Sequence, residues 1–161
     1  MGAKDGCQRM NTDTATHLDR MYQLRNFRSK EQIRQYFDAF ERMAASNPPE
    51  TLDQSLVERL LECLSDAECG GHGVIEQTFS YIRGVNAVVL ARTLAHKFFY
   101  MTSAAPSCLT VLLVGVLLNE RCAFEFMSIA KLWDHDSRRR AQEFIDNAKR
   151  ETDLPLDVSL V

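Results

Sequence analysis

The sequence predicts an all-α protein, and two properties of the 161-residue chain carry this prediction. Seven glycines and four prolines are present, too few for the many tight turns of an all-β fold. Apolar residues also recur at steps of three and four along most of the chain, as on one face of an α-helix. We therefore expect about eight helices, as stacked antiparallel hairpins in an α-solenoid-like or a compact orthogonal bundle.

The chain length fits one domain of about 150 residues. We expect a flexible N-terminal tail at 1–15, a single all-helical domain at 16–151 and a C-terminal tail at 152–161. Apolar residues make up 45% of the chain, which is typical of a globular protein and too apolar for a disordered one. With 22 acidic and 19 basic residues the formal charge is −3, which argues against binding nucleic acid by bulk charge.

The first two helices are predicted from caps and breakers. A first helix is predicted over Thr16–Phe27. Ser29 and Gln32 have the spacing of a capping box, whose side chains accept hydrogen bonds from free backbone amides at a helix start. A second helix therefore begins behind Ser29, and it ends near Ser46 because two prolines follow.

The middle helices are separated by residues that favour turns and caps. A third helix is predicted to begin at Thr51 or Asp53 and to end before Gly70. The fourth is closed by Gly84, the residue type that favours the left-handed conformation after a helix. A fifth helix is predicted over Asn86–Met101.

The sixth predicted helix is the most apolar one. Pro106 fits its first turn, where the missing amide costs nothing, and Cys108–Leu118 is apolar apart from Thr110. A helix that is apolar all round is normally enclosed by others. The uncharged stretch Phe98–Asn119 nominally has the length of a membrane span, but its polar first half favours a buried central helix and no stable span.

Two further helices complete the predicted fold, over Cys122–Trp133 and about Ser137–Glu151. Asp134 and Asp136 lie between them. We interpret these residues as helix caps, the alternative being carboxylates that position His135 for proton transfer.

Two segments resemble part of a pentatricopeptide repeat. The first consists of Phe40, Met43 and Pro48, and the second of Phe98, Met101, Pro106 and Thr110. The resemblance implies helical hairpins that stack into a solenoid and read RNA. A small RNA-binding helical-repeat protein in an organelle is therefore the alternative function.

The cysteines predict reduced thiols, because five is an odd number and the spacing is not of a zinc type. This favours an intracellular protein, cytoplasmic or organellar, with the mitochondrion included. Cys63, Cys69 and His72 have no fourth ligand nearby, so neither a metal site nor a cysteine nucleophile is expected. Phosphate-loop, nucleophile-elbow and zinc-helix motifs are missing from the sequence, so we expect no cofactor and no enzymatic activity.

The predicted function is a non-catalytic interaction or scaffold protein, a structural or adaptor subunit of a larger protein assembly. Exposed aromatic and cationic residues anchor many interfaces. The candidates for partner contacts are Tyr100, Trp133, Arg138 and Arg139.

Two further contacts are candidates. Arg92 and His96 lie four residues apart on the fifth helix, either as a contact for an anionic partner or as the solvent edge of a core helix. Ser159 and Val161 resemble the end of a ligand for PDZ domains, which bind such peptides by strand addition.

Overall fold

The computed structural model describes residues 12–66, 72–153 and 158–161. Over these ranges the chain forms eight α-helices, one 3-10 turn at Pro49–Thr51 and no strand, so the all-α prediction is confirmed. The helices are α1 (Thr12–Leu24), α2 (Lys30–Ser46), α3 (Gln54–Glu62), α4 (His72–Arg83), α5 (Ala87–Ala104), α6 (Pro106–Leu117), α7 (Glu120–Ala130) and α8 (His135–Thr152).

Helix α5 lies at the centre of the fold, where it packs against α3, α6 and α7. Its residues Leu94, Phe98 and Met101 are completely buried. Because α1 packs against α3 as well as α2, helices α1, α3, α5 and α7 form one row. In a second layer α2 packs against α4, and α6 against α8. Contacts between every second helix are those expected of stacked helical hairpins.

An aromatic cluster around Phe98 joins α5, α7 and α8. The Phe98 ring centroid lies 6.0 Å from that of Phe126, 5.4 Å from that of Trp133 and 5.6 Å from that of Phe144. Aromatic pairs at such distances contribute about 0.5–1.5 kcal/mol each beyond the area they bury. The cluster therefore holds the middle of α8 against the central helix.

The predicted helix caps are confirmed at three positions. Ser29 Oγ accepts a hydrogen bond from Gln32 N at 3.2 Å, while Gln32 Oε1 accepts one from Arg28 N at 2.6 Å. The glutamine thus reaches one residue further back than the usual capping box. Asp53 and Asp134 cap α3 and α8 with their carboxylates.

The N-terminal helix differs from the prediction, since α1 spans Thr12–Leu24. Phe27 is buried and has a φ of 32°, in the left-handed region, so the helix ends before it. Residues 12–15 of the expected tail are therefore helical, and residues 1–11 lie outside the described ranges.

Three other predicted boundaries also shift. Helix α7 begins at Glu120 rather than Cys122, because the Asn119 side chain accepts a hydrogen bond from Cys122 N at 3.1 Å. It ends at Ala130, and α3 ends at Glu62.

The C-terminal residues pack against α8, where a frayed tail was expected. Val158 and Leu160 are buried. Leu160 N donates to Gln142 Oε1 at 2.7 Å, and Gln142 Nε2 donates to Val158 O at 3.3 Å. Burial of two apolar side chains and these hydrogen bonds fix residues 158–161 in place.

Helix α6 is not enclosed by other helices, contrary to the prediction. Val111 is 49% exposed and Leu118 is 53% exposed. Gly115, between them on the same face, has no atom within 4 Å of where a Cβ would lie. Because α6 packs against α5, α7 and α8 with its other sides, this apolar face is open to solvent.

The helices of the described ranges include no single one with the length and hydropathy to cross a membrane. Helices α6 and α7 reach that threshold as a pair, but the chain bends by 117° between them.

Gly84 is required for a different reason than the predicted one. Its φ lies outside the left-handed region, but a Cβ added there would lie 2.7 Å from Pro49 Cγ. The proline ring therefore packs directly on the Cα of Gly84. This contact holds the 3-10 turn against the end of α4.

We predict opposite effects of the same substitution at Gly84 and Gly115. Gly84→Ala should lower the free energy of unfolding by about 1–3 kcal/mol, because Pro49 must move. Gly115→Ala should raise it by about 0.5–1 kcal/mol, because alanine is the better helix former and the space is open. Urea unfolding followed by circular dichroism measures both, and changes of equal sign would contradict the packing described.

Candidate protein-interaction surface

A series of ion pairs joins neighbouring helices of the α1–α3–α5–α7 row. From α1 to α7 the pairs are Asp19 with Arg59, Glu62 with Lys97 at 2.5 Å, and Arg92 with Glu125 at 2.8 Å. Each pair joins two helices that are neighbours in the row. Exposed ion pairs contribute about 0–1 kcal/mol each, so they fix register more than they stabilise.

The predicted basic strip on α5 belongs to this series. Arg92 is exposed, but its guanidinium is bound by Glu125, 33 positions away in the sequence. Lys97 is bound by Glu62, and this hydrogen bond raises the pKa of the Lys97 ammonium. His96 is exposed beside them. An anionic partner at Arg92 would therefore compete with a carboxylate of the same chain.

Tyr100 and Trp133 are half-buried, so the expectation that both are exposed is wrong. Tyr100 Oη donates a hydrogen bond to Glu62 O at 3.2 Å, across to α3. The Trp133 ring packs 4.9 Å from the Phe99 ring, centroid to centroid, at the edge of the aromatic cluster. Both rings pack mainly within the fold, so only their exposed parts are available to a partner.

The arginines at the start of α8 have separate environments. Arg139 is exposed, and its guanidinium lies 3.8 Å from Asp136. Arg140 lies over the Phe99 ring at 5.1 Å from its centroid. Arg138 is half-buried, and its Nε atom has no hydrogen-bond partner among the described residues. Arg139 therefore remains the more accessible of the two predicted contacts.

The thiols of the described chain are protonated at neutral pH. Cys63 Sγ lies 3.2 Å from Arg59 O and 3.4 Å from Leu18 O, two acceptors for its single proton, and burial raises the pKa of this thiol to about 12. Burial, together with Asp66, raises the pKa of Cys108 to about 12. Cys69 and the side chain of His72 lie outside what the structure describes. The described residues form no group of three or more metal-ligating side chains.

Sequence reasoning missed the most exposed apolar residues. Phe124 on α7 is 72% exposed, and Leu132 in the turn after α7 is 85% exposed. The buried residues of α7 are Cys122, Phe126 and Ala130, four positions apart. Phe124 lies off that stripe, so a helical projection of α7 would have found it.

A cavity of about 200 Å³ lies between the start of α5, α6 and the start of α7. Leu90, Leu112 and Val116 form its apolar walls, and Arg83 and Asn119 are polar groups at its edge. The cavity opens on the exposed face of α6 described above. The sequence contains no signal for it, because three separate segments form it.

Ser159 and Val161, the residues of the predicted PDZ-type contact, are both exposed. Val161 is exposed, and Ser159 Oγ donates to Val161 O at 2.8 Å. The alternate residues Val158 and Leu160 are buried against α8. A PDZ-type contact stays a prediction, and it requires this segment to leave α8.

The raised thiol pKa values predict a loss of stability at alkaline pH. Unfolded cysteines ionise near pH 9.0, whereas folded Cys63 and Cys108 hold their protons to about 12. The stability that the protonated thiols contribute is fully present below pH 9 and is lost as the pH rises towards 12. Urea unfolding in reducing buffer should show a free energy that falls above pH 9. The fall should be shallower in the Cys63→Ala, Cys108→Ala variant, and equal slopes would contradict the prediction.

The residues of the pentatricopeptide resemblance occupy ordinary structural positions. Phe98 and Met101 are buried in α5, Pro106 begins α6, and Thr110 Oγ1 donates to Pro106 O at 3.1 Å. The resemblance stays a prediction. No protein-family model, no curated protein and no solved structure matches the chain.

Proposed function

We propose that the protein is a non-catalytic subunit of a protein assembly and that it binds its partner with the face formed by α6 and α7. One observation carries the proposal. The exposed large apolar side chains of the described residues concentrate on α6, on α7 and in the turn after α7. Four of the six such side chains lie there, namely Val111, Leu118, Phe124 and Leu132, and the other two are Tyr22 and Val161.

Binding a partner there would remove costly apolar surface from water. Fully burying a leucine or phenylalanine side chain contributes about 1.5–3 kcal/mol. Phe124 and Leu132 gain almost nothing from burial within the fold, since both are largely exposed. Aromatic residues with polar surroundings are frequent anchors at interfaces. Arg121 and Lys131, both exposed, supply such surroundings on α7.

The polar groups of the row support binding rather than chemistry. The ionisable side chains that cross it are paired with one another between helices. Each carboxylate of these pairs is therefore already bound by a cation on the neighbouring helix. The buried thiols are protonated for the reason given above.

The double substitution Phe124→Glu, Leu132→Glu tests the proposal. It should abolish recovery of the partner by proximity labelling in cells, because two apolar anchors become charged. Helix content and thermal unfolding should stay within a few degrees of the unsubstituted protein, since neither side chain is buried.

The matched control is Tyr22→Glu, which also charges an exposed apolar side chain but on α1. Proximity labelling with this control variant should recover the same partners as the unsubstituted protein. An unchanged set of labelled proteins in the double variant, or an equal loss in the control, would refute the α6–α7 face as the interface.

RNA binding is the second candidate, and the arginines of α8 favour it. Arg139 and Arg140 are exposed, and Arg140 already packs on an aromatic ring, as cations do beside stacked bases. Against this, the cations of the row are bound by carboxylates. RNA would therefore have to displace these pairs to reach the row.

The RNA alternative predicts retention of single-stranded RNA on a filter that falls steeply with salt. If six to ten phosphate contacts hold the RNA, its affinity should fall about 10³-fold or more between about 50 and 200 mM salt. Arg139→Glu, Arg140→Glu should reduce retention further. Lack of retention at the lower salt concentration would end this alternative.

A further inference from the structure

We propose that the cavity between α5, α6 and α7 receives one apolar side chain of an acidic peptide segment in the partner protein. This inference rests on the proposed function and names the chemistry of the partner. The observations are the size and lining of the cavity, the open face of α6 above it, and the uncompensated arginines around it.

The cavity has the size of one side chain. A dry cavity of about 150 Å³ holds a benzene molecule, so about 200 Å³ accommodates the side chain of a leucine or phenylalanine. Leu90, Leu112 and Val116 offer such a group no hydrogen bond, so these walls favour an apolar group over a polar one. Partner anchors that fill pockets of this kind carry much of the binding energy at protein interfaces.

The outer face of α6 brings a partner backbone close to the cavity. Val111, Gly115 and Leu118 lie on one helical stripe, and Val111 and Gly115 also line the cavity. The absence of a Cβ at Gly115 leaves the mouth open, since no atom lies within 4 Å of that position. A glycine inside a helix costs about 1 kcal/mol relative to alanine, and here no packing within the described chain requires it.

The charges around the cavity select an acidic segment. A polar depression adjoins the cavity and shares Ala87, Asn119 and Cys122 with it. Arg92, Arg121 and Glu125 line this depression, and Glu125 is neutralised by its pair with Arg92. Arg83, at the edge of the cavity, and Arg121 are exposed and form no ion pair with any described residue. The excess charge is positive.

The concave shape of the site also favours a peptide partner over a membrane or a nucleic acid. A lipid surface is contacted by protruding apolar side chains, whereas the group in question must enter a recess. A nucleic acid would use the arginines but has no apolar side chain for the cavity. A peptide in which carboxylates flank one leucine or phenylalanine places the apolar side chain in the cavity and its negative charges beside the arginines.

Labelled acidic peptides test the proposal on the full chain. The probe is a short peptide of glutamate and serine with one central leucine, and fluorescence anisotropy measures its affinity. Replacing the leucine by alanine should weaken binding about tenfold, and replacing the glutamates by lysines should abolish it. Methyl resonances of Val111, Leu112 and Val116 should shift when the acidic leucine peptide is added.

Gly115→Leu separates loss of binding from loss of folding. The new side chain fills the mouth of the cavity, yet it should leave the protein at least as stable, because leucine is a better helix former and the position is open. Peptide affinity should fall at least about tenfold. Arg83→Glu, Arg121→Glu should weaken binding about fivefold at low salt and less at high salt. Arg139→Glu, on α8, is the control and should change nothing.

Three outcomes would overturn the proposal. They are no binding of the acidic leucine peptide, binding that Gly115→Leu leaves unchanged, and equal binding of the lysine peptide. Phosphatidylserine vesicles that bind the protein when the peptides do not would assign the face to a membrane. Self-association that Gly115→Leu abolishes would assign it to a second copy. If the peptides fail while Phe124→Glu, Leu132→Glu still loses its partners, the cavity proposal alone is refuted.

Discussion

The burial of α5 on three sides is the constraint on which the rest of the structure depends. Leu94, Phe98 and Met101 are completely buried, so α3, α6 and α7 must lie around this helix. The remaining side of α5 is polar and broad, since Arg92 and Lys97 are about 140° apart around the helix axis, one paired with α7 and the other with α3. The ion pairs to α7 and to α3 form on that side because cations are available nowhere else along the helix. The same constraint therefore fixes both the core and the pattern of charge on the row.

Helix α6 shows that composition and burial are separate properties. Its sequence is as apolar as that of a fully enclosed helix, yet the side with Val111, Gly115 and Leu118 faces solvent. An isolated exposed apolar residue needs no explanation, because much of any protein surface is apolar. Two such residues on one face, beside an apolar cavity, are different, since contiguous exposed apolar patches mark interaction sites. The proposed function rests on this apolar surface of the described residues.

The parts of the fold that could be predicted from the sequence are local ones. The caps at Ser29, Asp53 and Asp134 each act on an amide three residues away, so their spacing was sufficient. Long-range geometry could not be predicted in this way. The role of Gly84 depends on Pro49, and the exposure of α6 depends on where the other helices pack. Within the candidate site, the exposure of Phe124 can be predicted from a helical projection. The cavity cannot, because three separate segments of the chain form it.

Cys63 connects the N-terminal hairpin to the remaining helices through its backbone and its thiol. Its carbonyl accepts a hydrogen bond from Tyr36 Oη at 3.1 Å, and its Sγ lies within hydrogen-bond distance of Leu18 O. One residue thus touches both helices of the hairpin. A displacement of Cys63 therefore perturbs polar contacts to both α1 and α2, so the end of α3 couples the hairpin to the rest of the core.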